Sequence, residues 1–141
     1  MINVLIADDH QIVIDGIKSF LDREKGIRVV GEARNGQEAL DILERQPVDI
    51  AVLDIHMPEL DGIETTRVIK QRFPGTRVII LTYSDSSELI VSLLRLGAYG
   101  YVLKEKSKEA LVGAIHAVHQ GNRHFPLNLP DLLAKENSRP A

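Results

Sequence analysis

Four short apolar runs in the chain each end on a residue suited to phosphate or metal chemistry. Val4-Leu5-Ile6-Ala7 leads into Asp8-Asp9, and Ile50-Ala51-Val52-Leu53 leads into Asp54. Val78-Ile79-Ile80-Leu81 reaches Thr82, and Tyr101-Val102-Leu103 reaches Lys104. If these runs are parallel strands of one sheet, their last residues meet at its carboxyl edge, where open α/β sheets bind ligands. Three carboxylates, one hydroxyl and one ammonium group would then share a site. Carboxylates that close repel one another and must protonate or recruit a cation. The chain has no cysteine and the donors on offer are hard oxygens, so Mg²⁺ is the expected ion. A carboxylate flanked by a metal and an ammonium group can attack a phosphoryl group, because the cations offset the incoming negative charge. On this reading Asp54, at the end of the central strand, is the nucleophile and Asp8 and Asp9 hold the metal. Lys104 pairs with one phosphate oxygen and Thr82 hydrogen-bonds another.

Such a site needs a scaffold, and the rest of the chain supplies one. Apolar runs alternate with helical patterns five times, the signature of βαβ units and a parallel sheet. Strands are expected at about 2–8, 28–33, 49–54, 77–82 and 100–104. The runs Ile50–Leu53 and Val78–Leu81 are continuously apolar, which implies a sheet covered by helices on both faces. Asn35 with Glu38, Asp61 with Glu64 and Asp85 with Glu88 each set a capping residue three before a Glu. Pro47 and Pro74-Gly75 close the second and third helices, and Gly97 and Gly121 sit where helix ends favour a left-handed residue. Leu111, Ala114, Ile115 and Val118 form a helical stripe that should face the core.

At 141 residues the chain suits one domain with a real core. A net charge of −3 gives no electrostatic case for direct nucleic-acid binding. The absence of cysteine fits a reducing cytoplasm, and Met1-Ile2-Asn3-Val4 lacks the basic leader of a signal peptide. No apolar stretch approaches the ~18–20 residues of a membrane span, so a cytoplasmic domain with no membrane contact is expected. Neither a G-x-x-x-x-G-K-[ST] loop nor a G-x-G-x-x-G turn is present, which argues against direct nucleotide binding. From Pro126 the character changes. A short helix at 131–136 and a linker ending Asn137-Ser138-Arg139-Pro140-Ala141 are expected. This divides the chain into a domain at 1–125 and a linker at 126–141 leading toward a further domain.

Asp8-Asp9-His10, Asp54-Ile55-His56-Met57-Pro58 with Asp61-Gly62, Leu81-Thr82 and Gly97-Ala98-Tyr99-Gly100-Tyr101-Val102-Leu103-Lys104 together resemble the bacterial response-regulator receiver domain over about residues 2–121. The Asp-Asp-His opening and the Gly-Tyr-Val-Leu-Lys segment are most similar to the NarL/FixJ subfamily, whose members carry a C-terminal LuxR-type helix-turn-helix. The resemblance implies a CheY-like, flavodoxin-like α/β fold, five parallel strands in the order 2-1-3-4-5 with helices on both faces. It implies phosphorylation of Asp54 by a sensor histidine kinase. It also implies Mg²⁺ bound by Asp8, Asp9, Asp54 and the main-chain carbonyl of His56. The switch it implies runs from the phosphoryl group to Thr82 and then to Tyr101. A hydroxyl drawn toward a new dianion vacates space that a ring can enter. The expected output is a homodimer and control of transcription, with DNA reached only through a C-terminal domain absent from this chain.

Two positions depart from the family pattern. Tyr83 follows Thr82 where many receivers have a small residue, so its ring is expected to restrict access to the site. Glu105 follows Lys104 where many have proline. Without proline a cis bond there would cost about 3 kcal/mol, which leaves the geometry of that bond open.

Plainer readings stand beside these. Asp8-Asp9 alone would serve as a helix cap, and Tyr101 alone would be a core residue. His116, His119 and His124 read as a solvated face rather than a metal site, His10 as a helix start, and the His56 side chain as incidental. Other functions compatible with the residues are a stand-alone receiver in a phosphorelay and, from another class, a Mg²⁺-dependent aspartyl phosphatase. The latter commonly places an acid two residues after its nucleophile. Here that position is His56, and the chain has no substrate-binding insertion.

Overall fold

The computed structural model describes residues 1–106 and 108–126, so the helix expected at 131–136 lies outside the described residues. Strands and helices alternate in the order β1 (Ile2–Ala7), α1 (Gln11–Leu21), β2 (Ile27–Ala33), α2 (Gly36–Arg45), β3 (Ile50–Leu53), α3 (Gly62–Arg72), β4 (Arg77–Thr82), α4 (Ser87–Leu96), β5 (Gly100–Leu103) and α5 (Lys108–His119). All strand pairings are parallel and the order across the sheet is β2-β1-β3-β4-β5. The sheet is the CheY-like doubly wound arrangement implied by the motifs.

Successive strand residues face opposite sides of the pleat, and both sides are covered. Leu5, Ala51, Leu53, Ile80 and Tyr101 pack with Leu40, Ile69 and Leu93 under α2, α3 and α4. Val4, Ile6, Val52, Ile79 and Val102 pack with Ile14, Leu21, Leu111 and Ile115 under α1 and α5. Each fully buried aliphatic side chain contributes about 1.5–3 kcal/mol to this double core. The continuous apolar runs are the direct consequence, since a strand with helices on both sides has no solvent face.

β1 lies between β2 and β3, so the winding direction reverses at β1 and β3. The strands stop slightly earlier than expected. Asp8, Asp54 and Lys104 are the first residues beyond their strands, while Thr82 is the last residue of β4. Their amides still close the ladder: Asp8 N–H donates to Ala33 O at 3.0 Å, Asp54 N–H to Ala7 O at 2.9 Å and Lys104 N–H to Thr82 O at 2.8 Å. The backbone therefore fixes these residues while their side chains leave the sheet edge.

Asn35 and Asp61 cap α2 and α3 by accepting from the amides of Glu38 and Glu64. The expected cap at Asp85 is displaced by one residue. Ser86 caps α4, its Oγ accepting from Leu89 N–H at 3.3 Å. The main-chain carbonyl of Ser84 is engaged elsewhere, and the helix begins one residue later. Gly62 opens α3 against the loop after β3. A Cβ there would lie 2.9 Å from Ile55 Cα and well inside van der Waals contact distance of the Asp54 carbonyl oxygen. Only glycine lets α3 start so close to Asp54.

After Gly121, at φ +95°, the chain turns back along the free side of β5. His124 N–H donates to Tyr99 O at 2.9 Å, and Tyr101 N–H donates to His124 O at 2.8 Å. Phe125 packs against the α2–α4 core.

Candidate functional site

The sheet edge brings Asp8, Asp54 and Lys104 into direct contact. Lys104 Nζ donates to Asp8 Oδ2 at 2.9 Å and lies 3.4 Å from Asp54 Oδ2. Asp8 and Asp54 are only 2 % and 7 % exposed. Buried charges require partners, and one ammonium group serves two carboxylates. Burial pushes the Asp54 carboxyl above its ordinary value of 3.8. The Lys104 charge opposes that shift without reversing it, and the neighbouring Asp8 adds to it. Burial also works against the Lys104 ammonium, but its hydrogen bond to Asp8 and the charges of Asp54 and Asp8 prevail and hold its pKa above the ordinary lysine value. The two directions agree physically: the shared cation is strongly held, and Asp54 receives only the more distant part of it.

Asp9 has a different environment. Its Oδ1 is buried and accepts no hydrogen bond. His10 Nδ1 is 3.0 Å from that oxygen yet makes no hydrogen bond to it. Asp8 Oδ1 accepts from the His10 amide at 2.9 Å, so the acidic pair shapes the entry to α1 without capping it. His10 is the N-cap residue and makes no side-chain cap. Ligand atoms of Asp8, Asp9 and His10 all lie within 4.8 Å of one another. A buried carboxylate oxygen without a donor, beside a second carboxylate, is what a hard divalent cation satisfies, and Mg²⁺ fits Asp8 and Asp9 on these grounds. Asp54 is not in that group. Its Oδ1 accepts from Ile55 N–H at 2.8 Å, and its Oδ2 faces Lys104.

Thr82 is buried at the end of β4 and lines an open pocket together with Asp9, Asp54, His56, Tyr83 and Lys104. The His56 side chain is exposed. Tyr83 is 69 % exposed, and its ring centroid is 5.3 Å from Lys104 Nζ. The ring thus stands on the pocket rim over the ammonium group, a cation–π arrangement. Tyr101 is fully buried, and its hydroxyl donates to the Ser84 carbonyl at 2.6 Å. Burial raises the phenol's pKa, Ser84 lowers it in part and Asp85 raises it further, so the group stays a donor at neutral pH. Every peptide bond among the described residues is trans, Lys104-Glu105 included.

No side-chain pattern marks the Ser84 carbonyl, and the approach of the His10 ring to Asp9 was legible only as a weaker alternative to a helix start. Adjacency to the acidic pair was the only available signal for the latter. His116 and His119 are exposed, and His124 contributes its backbone to β5. No helix among the described residues is long and apolar enough to cross a membrane.

The model of the response regulator receiver domain matches residues 4–116. The transcriptional regulatory protein DegU of Brevibacillus brevis is 35 % identical over 98 % of this chain. The chain spans 58 % of DegU's length. A solved two-component response regulator of the LuxR family from Aurantimonas sp. SI85-9A1 superposes with a TM-score of 0.87 at 33 % identity, covering 97 % of this chain and 98 % of that one. The response regulator RcsB, in a structure of two dimers bound to two parallel DNAs, gives a TM-score of 0.84 at 32 % identity, covering 95 % of this chain and 68 % of that one.

Proposed function

The chain belongs to the response regulator receiver family, of the LuxR type, and from that premise we propose that Asp54 accepts a phosphoryl group from the phosphohistidine of a sensor histidine kinase. The observation that carries this reading is the buried chain Asp8–Lys104–Asp54. Asp54 Oδ1 is tied to the Ile55 amide, which leaves Oδ2 as the attacking atom. Oδ2 bonds to phosphorus as the P–N bond breaks, and the electron pair leaves with the imidazole nitrogen. Lys104, held charged by its two carboxylates, exchanges its longer contact with Asp54 for a phosphoryl oxygen. Asp8 and Asp9, with Asp54 and the His56 main-chain carbonyl, would hold Mg²⁺. When bound, the ion offsets charge on the phosphoryl oxygens.

Thr82 then reads the product by hydrogen-bonding a phosphoryl oxygen. The shift of its hydroxyl opens space beside β5, where the Tyr101 ring already lies buried and tethered to Ser84, so phosphorylation would hold the ring in that inward position. The output is a homodimer that controls transcription, with DNA contacted through a C-terminal domain beyond residues 1–125 and a linker at 126–141. DegU's designation as a transcriptional regulator and the DNA-bound RcsB dimers support that output. So does the net negative charge of this chain, which is unsuited to holding DNA itself.

Incubation with acetyl phosphate and Mg²⁺, followed by intact mass, should show one phosphoryl increment. Uptake that persists in the presence of a chelator would overturn the metal's part in the reading. Mg²⁺ at a hundredfold its Kd should stabilise the fold by about 2.7 kcal/mol. Asp9→Asn should lose most of that gain in thermal melts, while its stability with chelator present stays close to that of the native chain. Tyr83 acts as an access control on the rim. Tyr83→Ala should therefore raise both the rate of phosphorylation by acetyl phosphate and the rate of hydrolysis. Unchanged rates would leave the ring no role in access.

A further inference from the structure

Lys70, Arg77 and Arg123 converge on a second pocket at the amino ends of β4 and β5, the edge of the sheet opposite Asp54. Tyr99, Gly97 and Thr76 also line it, and no carboxylate does, in a chain whose net charge is −3. None of the three cations has an ion pair among the described residues.

The two arginines are held in place. Arg77 Nη1 donates to Val118 O at 2.9 Å and His119 O at 3.2 Å, and Arg123 Nη1 donates to Ala98 O at 3.0 Å. Both guanidinium groups also lie over the Tyr99 ring, 5.0 and 4.6 Å from its centroid. The stem of Lys70 crosses Gly97, where φ is +107° and a Cβ would come within 3.1 Å of Nζ. Glycine therefore serves the helix end and makes room for the lysine.

The plain role of these cations is to answer the carboxyl ends of α4 and α5. A helix end carries only about half a negative charge, so two ends leave most of three positive charges uncompensated. The Nε and Nη2 donors of both arginines have no partner among the described residues. The Thr76 hydroxyl is turned away to Val48 O at 2.7 Å. What faces the pocket is therefore an excess of positive charge, with the donors of two anchored arginines among it.

The geometry points to a binding site for a phosphate-bearing anion, gripped by the forks of Arg77 and Arg123 with Lys70 as a point charge. Planar guanidinium groups match tetrahedral oxyanions bidentately, and three cations suit a multiply charged phosphate better than a single carboxylate. Arg123 belongs to the segment whose His124 exchanges hydrogen bonds with Tyr99 and Tyr101. Anion binding accordingly clamps that segment to β5 beside the switch residue.

Pyrophosphate titrated into the isotope-labelled chain, with chelator present and ionic strength fixed by chloride, tests the site by NMR. Saturable shifts are expected at the amides of Arg77, Ala98, Tyr99 and Arg123, with slower hydrogen exchange at Tyr101. Lys70→Gln and Arg123→Gln should each weaken the Kd roughly tenfold, equivalent to about 1.4 kcal/mol. Lys70 is exposed, so Lys70→Gln keeps the fold and decides the matter if Arg123→Gln loosens the segment. A nucleoside diphosphate that binds like pyrophosphate shows that the phosphates alone are read, whereas tighter binding shows that the nucleoside is read as well. Shifts no larger than those from chloride would overturn the proposal. So would shifts centred on Asp54 and Lys104, or a Kd that Lys70→Gln leaves unmoved.

Discussion

Asp54→Asn should take up no phosphoryl group from acetyl phosphate, yet unfold at a higher temperature than the native chain at neutral pH with chelator present. The first half follows from chemistry, since a neutral amide is not a nucleophile toward phosphorus, and the other carboxylate beside Lys104, Asp8, already spends its Oδ2 on the lysine's 2.9 Å hydrogen bond. The second half follows from burial. The folded Asp54 carboxyl has its pKa raised above the ordinary 3.8, chiefly by desolvation and against the pull of Lys104. A folded-state pKa above the unfolded value means that the native state binds the proton more tightly. The stabilisation from that proton is present at low pH and is lost as pH rises through the folded pKa. Above it, the native protein carries a buried charge that Asn avoids, while Lys104 retains its shorter bond to Asp8 at 2.9 Å. The advantage of Asp54→Asn should therefore be small near pH 3.8, grow as pH rises through the folded pKa and then level off. Melts across that range measure it. A variant less stable than the native chain at neutrality would show that the Lys104 pairing outweighs desolvation.

Tyr101→Ala should be the most destabilising change within the proposed switch. The side chain is among the largest that are fully buried, 1 % exposed in the α2–α4 core. Truncating a buried aromatic ring costs about 3–5 kcal/mol through lost transfer energy and the cavity left behind. In a domain of this size that lowers the melting temperature by about 10–20 °C. Tyr101→Phe separates packing from switching. It keeps the ring and removes only the hydrogen bond to Ser84, a loss of about 1 kcal/mol. The tether holds the ring in its inward position, so without it beryllofluoride with Mg²⁺ should drive Tyr101→Phe into the dimer only at higher concentration than the native chain, as read by sedimentation. Equal losses of stability in both variants would contradict the cavity account. An unchanged dimerisation profile in Tyr101→Phe would show that the Ser84 tether does not hold the switch.

Much of this protein could be read along the chain. The runs Ile50–Leu53 and Val78–Leu81 announced strands buried on both faces, because a residue pair facing opposite helices leaves no position for a polar side chain. Asn35 and Asp61 marked helix starts, because the bond to an amide three residues on is local. Asp8, Asp54, Thr82 and Lys104 could be assigned to one sheet edge once the strands were taken as parallel. Such features depend on neighbours within a few positions and on the period of the backbone.

Other features were set by the tertiary structure alone. The start of α4 moved from Asp85 to Ser86 beside a loop whose Ser84 carbonyl is held by Tyr101, 17 residues away. Tyr83 turned to the rim of the pocket because the Lys104 ammonium group lies beneath its ring. The same lysine joins Asp8, 96 residues distant, more closely than Asp54, and so decides which carboxylate bears the greater burden of burial. Asp9 was left without a donor, and Lys70, Arg77 and Arg123 were gathered around Tyr99 from three separate elements. The sequence by itself determined which residues reach the carboxyl edge of the sheet. Which of them share a cation or an open face was decided by distances of a few ångströms between elements, and no local pattern encodes those.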